Sequence, residues 1–323
     1  FNLMILLVTN KRDITMDYIV VELKKRGIKY FRLNTEDLPR SYCSMSDSSF
    51  MDWSISINGN TIKGIDVKAA YFRRPGNPEV PASITDPGIA DYIQGEWNSF
   101  LKSLYSRLDS FWFCSPTNII LAEDKPKQLV VAKRLGFNIP ESTITNSFEE
   151  IKSCSNSFQM IAKPLRQALF INNDAESIIF TNRLGQLDET DSSSLSLVPI
   201  IVQHEIIKKF DVRVTVVGKR VFSVAIYSQS HKETEVDWRK GSRIDLKHKP
   251  LELPTSLSSK CIDLVESLNL RFGAIDFICD EDDVFWFLEI NPNGQWAWIE
   301  NQTGLPIASS IVDELMRIGR YEF

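Results

Sequence analysis

The stretch "FLEINPNGQWAWIE", Phe287 to Glu300, decides the fold. It opens as an apolar strand and ends on an acid, two asparagines, a proline, a glycine and two tryptophans. Glu289, Asn291 and Asn293 recur at every second residue, so an extended chain would put all three on one face, rich in oxygen ligands. The segment upstream, "FGAIDFICDEDDV", reads as the other arm of a hairpin. A turn centred on Glu281 and Asp282 sets Asp276 opposite Phe287, with Glu289 on its diagonal at roughly 7–8 Å. Two acids so placed repel each other unless a cation lies between them, and Mg²⁺ takes oxygen donors while it also holds substrate phosphates. A one-residue slip would separate the acids. On the hairpin alone, the reading of Asp276 and Glu289 as ordinary acids on a solvated face stays open.

The rest of the chain sets limits on that site. At 323 residues it fits two or three packed units. Its net charge of -5 argues against a nucleic-acid footprint, and no apolar run approaches the roughly 20 residues that span a bilayer. "FNLMILLV" is followed directly by "TNKRD" without a cleavage-like site and reads as a buried first strand. Five scattered cysteines fit reduced thiols and a cytoplasmic chain. Three histidines, none at helical zinc spacing, point away from a zinc enzyme.

Along the chain, "MILLVTN", "MDYIVVELKKRG" and "KYFRLN" give strand, helix, strand, with Gly27 ending the helix. "WSISING" and "TIKGI" flank an Asn-Gly hairpin turn. "AAYFRRP" is a further strand, the Pro-rich segment after it a loop, and "IADYIQGEWNSFLKSLYSRL" a helix. "CSPTNIILAED" reads as a connector into a helix near Lys127–Leu135. Strands then dominate, through "FQMIAKPL", "VPIIVQHEII", "DVRVTVVG" and "RVFSVAIYSQ". The expected divisions are 1–118, 119–200 and 201–323.

Neither GxxxxGK(S/T) nor a post-strand GxGxxG occurs, so any nucleotide must be held by side chains. Lys125 at a helix entry, Lys163 among apolar strand neighbours and Arg213 in "DVR" are the candidate cations. Each taken alone also fits a structural ion pair. Trp296 and Trp298 read either as core or as a wall beside substrate, and Arg73 and Arg74 either as surface charges or as receivers of an acidic substrate.

The order of these pieces, from the helix-entry lysine through "KP", "VQHEI", "DVR" and "AIDF" to "LEINPNG", resembles the ATP-grasp ligases over Leu121–Asn293. With "YFRRP", "VDWR" and "NPNGQWAWIENQTGLPI" added, it resembles the microviridin-type, or graspetide, peptide maturases within them. The resemblance implies an α/β (α+β) ATP-grasp fold: an N-terminal α/β domain, a small central lid and a C-terminal antiparallel-sheet domain. It implies ATP and Mg²⁺, two ions, as cofactors. Lys125 and Lys163 would hold phosphates, and Gln203, His204, Glu205 and Ile206 would form the adenine hinge. Asp211 would sit near the ribose or order Arg213. Asp276, Glu289 and Asn291 would bind the metal. Arg213, close to the γ-phosphate, and Arg239, facing the acceptor carboxylate, would be catalytic. Arg73, Arg74, Asn293 and Trp296 would meet substrate.

The partner so implied is a ribosomal precursor peptide, leader plus acidic core, joined by ester or amide cross-links, with a homodimer as the assembly and no nucleic acid or membrane. Alternatives are a ligase of small molecules or protein tails, like glutathione synthetases or glutamate-adding enzymes, and a nucleotide-binding module without turnover. One departure from many ATP-grasp enzymes is the glycine-free "KPLRQALFINNDAES", which leaves phosphate coverage to other groups such as Arg166.

Overall fold

A computed structural model describes residues 4–166, 168–172, 175–179, 181–229, 235–239 and 246–320. The chain divides into two compact units, Phe1–Ile119 with Asn269–Phe272 and Asn293–Phe323, and Ile120–Leu268 with Gly273–Pro292.

The first unit starts with β1 (Met4–Thr9), α1 (Ile14–Lys25) and β2 (Lys29–Asn34). Asp13 caps α1 by accepting from the Met16 amide, and Gly27 at φ 65° releases the chain into β2. A short antiparallel sheet follows, made of β3 (Tyr42–Met45), β4 (Trp53–Ile57) and β5 (Asn60–Lys63). Asn58 and Gly59, at φ 51° and 78°, make the tight turn that the Asn-Gly pair predicts. β6 (Val67–Phe72) joins the first sheet in the order β2-β1-β6, parallel throughout. Helix α2 (Pro87–Arg107), capped by Asp86, packs Leu101 and Leu104 into a core with Leu6, Val8 and Trp53. The expected connector contains a helix, α3 (Pro116–Ala122).

In the second unit, α4 (Lys125–Arg134), β7 (Ser142–Thr145), α5 (Phe148–Ser157), β8 (Met160–Pro164), β9 (Ala168–Asn172), β10 (Ala175–Ile179), β11 (Asn182–Arg183), α6 (Ser192–Leu195) and β12 (Ile200–His204) come first. They form one sheet in the order β11-β8-β12-β7 and a separate β9–β10 hairpin. The glycine-free stretch is that hairpin, of which residues 167, 173 and 174 lie outside the described set. A second sheet, β15-β14-β13-β16-β17, is built from β13 (Lys208–Val217), β14 (Arg220–Tyr227), β15 (Lys247–Pro250), β16 (Phe272–Asp280) and β17 (Phe285–Asn291), with α7 (Thr255–Ser267) against β13 and β14.

The chain then returns to the first unit as α8 (Ala297–Thr303) and α9 (Ile307–Arg320). Helix α9 buries Ile307, Ile311, Leu315 and Ile318 and packs on α1 and β6. Among the described residues no helix is long and apolar enough to cross a membrane.

Candidate active site

The site is built on an irregular hairpin. Phe277 pairs with Phe287, but Asp276 pairs directly with Glu289, because the register shifts between Asp276 and Phe277. The expected pairing of Asp276 with Phe287 does not form. Leu288 is the extra residue of a β-bulge, which reverses the alternation of the strand beyond it. Phe287 and Ile290 therefore both face the core opposite Phe277 and Ile275, whereas Glu289 and Asn291 share the other face with Asp276. An unbulged strand would have put Glu289 on the side of Phe287.

The edge of β17 is covered by α4 and the residues after it. Gln128, 2% exposed, accepts from the Ile290 amide at 3.0 Å and donates to the Ile290 carbonyl at 2.8 Å, and the Phe287 amide donates to the Asn138 carbonyl at 2.8 Å. This docking carries Lys125, at the first turn of α4, to Glu289, with Nζ 3.1 Å from Oε2. Arg239 Nη1 donates to the other oxygen, Oε1, at 2.8 Å. Burial would raise the Glu289 pKa, yet Arg239, Lys125 and Lys163 hold it far below the usual carboxylate range.

Arg239 is itself held by Asp237, which accepts from its Nε at 2.9 Å, its Nη2 at 3.1 Å and its amide at 3.1 Å. Against the effect of burial, Arg239 lowers the Asp237 pKa. Arg213 and Asp276, both 6% exposed, lie Nε to Oδ1 at 3.1 Å, and the guanidinium sits over the Trp238 ring at 5.4 Å. Burial raises the Asp276 pKa despite Arg213 and Arg239, with Glu289 acting in the same direction as burial.

Phosphate-binding candidates lie on the same unit. Lys163 Nζ donates to Gln203 Oε1 at 2.6 Å, and burial pushes its pKa down to about 8. A pocket beside it is lined by Ile161, Gln203, Glu205, Ile206, Ile278 and Leu288, apolar walls with a polar edge. The His204 and Glu205 amides donate to the Glu141 and Gln159 carbonyls at 2.9 Å each. The His204 ring lies 4.8 Å from Phe158, and Glu205 takes a two-pronged ion pair from Arg183. Asp211 is bound by Lys208 at 2.8 Å and by the Ser228 hydroxyl, so its carboxylate is spent on Lys208.

Asp276 and Glu289, with Asn291 beside them, fit a hard divalent cation. Asp276 Oδ1 is buried and meets Arg213 Nε at 3.1 Å as an ion pair without hydrogen-bond alignment, so it keeps lone-pair capacity that a cation can use. Among the described residues no group of three or more acids, histidines or cysteines is gathered, so the donor set suits an ion that completes its shell with water and phosphate oxygens.

The expected substrate residues part company. Arg73, 1% exposed, donates from Nη1 to the Asn293 and Gly294 carbonyls at 3.2 and 3.1 Å and lies 3.6 Å from Asp13. Asn293 lies past the end of β17 and donates to the Arg73 carbonyl, so it does not continue the face of Glu289 and Asn291. Trp296 is fully buried, edge-on to Tyr18. Arg74 alone of the four is exposed. The sequence reading passed over Gln128 and Asp237. Gln128 lies three residues after Lys125, one helical turn along, and Asp237 lies two before Arg239.

The family model of the RimK-like ATP-grasp domain matches residues 122–315. Among solved structures, a RiPP-associated ATP-grasp ligase from Chryseobacterium gregarium, in complex with ADP and a leader and core peptide, is 26% identical, with a TM-score of 0.88 over 98% of this chain and 97% of that one. The macrocyclase MdnC of Microcystis aeruginosa, bound to the precursor peptide MdnA, is 23% identical, with a TM-score of 0.84 over 98% and 100%. The macrocyclase MdnB of the same organism is 27% identical, with a TM-score of 0.79 over 97% and 99%. No curated protein matches the chain.

Proposed function

The chain belongs to the RimK-like ATP-grasp family, and from that premise we propose that this ligase uses ATP and Mg²⁺ to cross-link a ribosomal precursor peptide. The observation that carries the reading is the pairing of Asp276 with Glu289 beneath Lys125, Arg213 and Arg239. Similarity to ligases solved with leader, core or precursor peptides supports the substrate class.

In this reading Lys125 and Lys163 bind the polyphosphate, and the pocket bounded by Gln203 to Ile206 holds the adenine. Arg239, fixed by Asp237, orients a Glu or Asp side chain of the peptide. That carboxylate attacks the γ-phosphorus, ADP leaves, and Arg213 stabilises the charge on the transferring phosphoryl group. A Ser or Thr hydroxyl or a Lys amine then attacks the acyl phosphate carbon. The nucleophile gives up its proton and phosphate departs, leaving an ester or amide. Asp276, Glu289 and Asn291 would hold Mg²⁺, which would supply Lewis-acid charge to the phosphate oxygens.

Arg74 is the exposed cation left to meet the acidic core. Free, scattered thiols support a reducing, cytoplasmic setting, and the family resemblance supports a homodimer. Incubation with ATP and a candidate precursor should give successive losses of one water mass from the peptide, with one ADP released per loss. ADP release without mass change in any acidic peptide would overturn the peptide reading.

A further inference from the structure

We propose that Ser142, to which the reading above gives no role, is the positioning residue that sets how the pocket reads a nucleotide base. The inference rests on the adenine assignment of that pocket and deepens it. On the β7–β12 ladder Ser142 is paired directly with Gln203. On the β12–β8 ladder Gln203 is paired with Ile161 and Ile201 with Lys163, so Lys163 is the diagonal neighbour of Gln203 on one face. Gln203 is 1% exposed, so an amide atom that loses its partner there is left largely desolvated.

The direction of every bond in this row follows from chemistry. The Lys163 ammonium only donates, so the Gln203 atom 2.6 Å from it is the amide oxygen. The amide nitrogen then points the other way and donates to Ser142 Oγ at 2.8 Å. Ser142 in turn spends its own hydrogen on the Pro140 carbonyl at 2.6 Å. Pro140 and Gln203 both line the pocket.

Pinned at both ends, Gln203 keeps its oxygen toward the lysine side with one lone pair left over. A 6-amino purine can donate to that lone pair, whereas a 6-oxo purine would set oxygen against oxygen. Ser142 thus acts through Gln203 to favour amino-bearing bases. Removing its hydroxyl leaves the amide nitrogen buried without an acceptor and frees the side chain to turn.

The test measures Kd for ADP and for IDP, in magnesium buffer without peptide, on the full chain as wild type, Ser142→Ala and Ser142→Thr, each checked by thermal melt. Wild type should prefer ADP. Ser142→Ala should weaken ADP by about 3- to 10-fold, the worth of one neutral hydrogen bond, and leave IDP within about twofold. Ser142→Thr, which keeps the hydroxyl, should restore the preference. An unchanged ADP-to-IDP ratio in Ser142→Ala, or equal loss of both nucleotides, overturns the inference. Equal affinity of wild type for ADP and IDP overturns it whether or not the variants fold. Wild type that binds no ADP brings down the nucleotide assignment itself, a result distinct from the other two.

Discussion

Two hairpins of this protein, β4–β5 and β16–β17, obey different rules. In the first, pairing runs without a shift from Ser54 and Lys63 to Ile57 and Asn60, and the Asn-Gly turn has both residues in the left-handed region. Its strand alternates buried Trp53, Ile55 and Ile57 with half-buried Ser54 and Ser56. In the second, one extra residue breaks the alternation so that Phe287 enters the core while Glu289 faces the site. The regular hairpin serves stability. The bulged one gives up regularity to aim the Glu289 carboxylate at Lys125 and Arg239.

This contrast breaks most sharply at Glu289. Glu289→Ala should lower peptide-dependent ADP release by about 100-fold or more, the scale of losing a preorganised charge at a phosphoryl-transfer site, with an unchanged circular dichroism spectrum. Retained turnover would remove the metal assignment.

A smaller effect should come from pH. Lys163, held down at about 8 chiefly by burial, is cationic below that value and neutral above it. Phosphate binding needs the cation, so KM for ATP should rise above pH 8, by up to about tenfold per unit. A flat KM from pH 7 to 9.5 would dissociate Lys163 from the phosphates.

Asp280 sharpens the comparison within the bulged hairpin. It accepts from the Asp282 amide at 3.0 Å, the Val284 amide at 2.8 Å and Trp286 Nε1 at 2.8 Å. Asp280→Ala should cost about 1–2 kcal/mol in denaturant unfolding while changing turnover less than about threefold. The smallest effect is expected in the regular hairpin. Gly59→Ala, at φ 78°, should cost about 1 kcal/mol and leave turnover at the wild-type level. A catalytic defect there would mean that the two hairpins are not the independent devices described.

Much of the fold was legible because its signals are local. Asp13 and Asp86 cap the helices they precede, Gly27 ends α1, and the Asn-Gly turn specifies its own conformation. Local signals were weaker for α3 and α8, which carry few helix-period apolar positions and are only 7 residues each. At the candidate site, Lys163 was legible because a charge among apolar strand neighbours needs a partner, and Lys125 and Arg213 because a helix entry and a strand can present cations to phosphate. Asp276 and Glu289 were legible because facing acids need a cation, whereas Arg239 came only from the family resemblance. Arg73 meets its partners, Asp13 and the Asn293 and Gly294 carbonyls, inside the first unit, and Trp296 is buried there edge-on to Tyr18, outcomes that residue type alone does not foretell.

By itself the sequence determined the family, the acid-bearing hairpin and the candidate cations Lys125, Lys163 and Arg213, since turn chemistry and charge at a helix entry or in apolar strands are written residue by residue. Only the tertiary structure decided that Asp276 meets Glu289 head-on, that Gln128 fastens α4 to β17 and that Ser142 reaches Gln203. Register, docking and buried hydrogen-bond direction depend on what packs against both faces of a strand, and that is settled by neighbours distant in the chain.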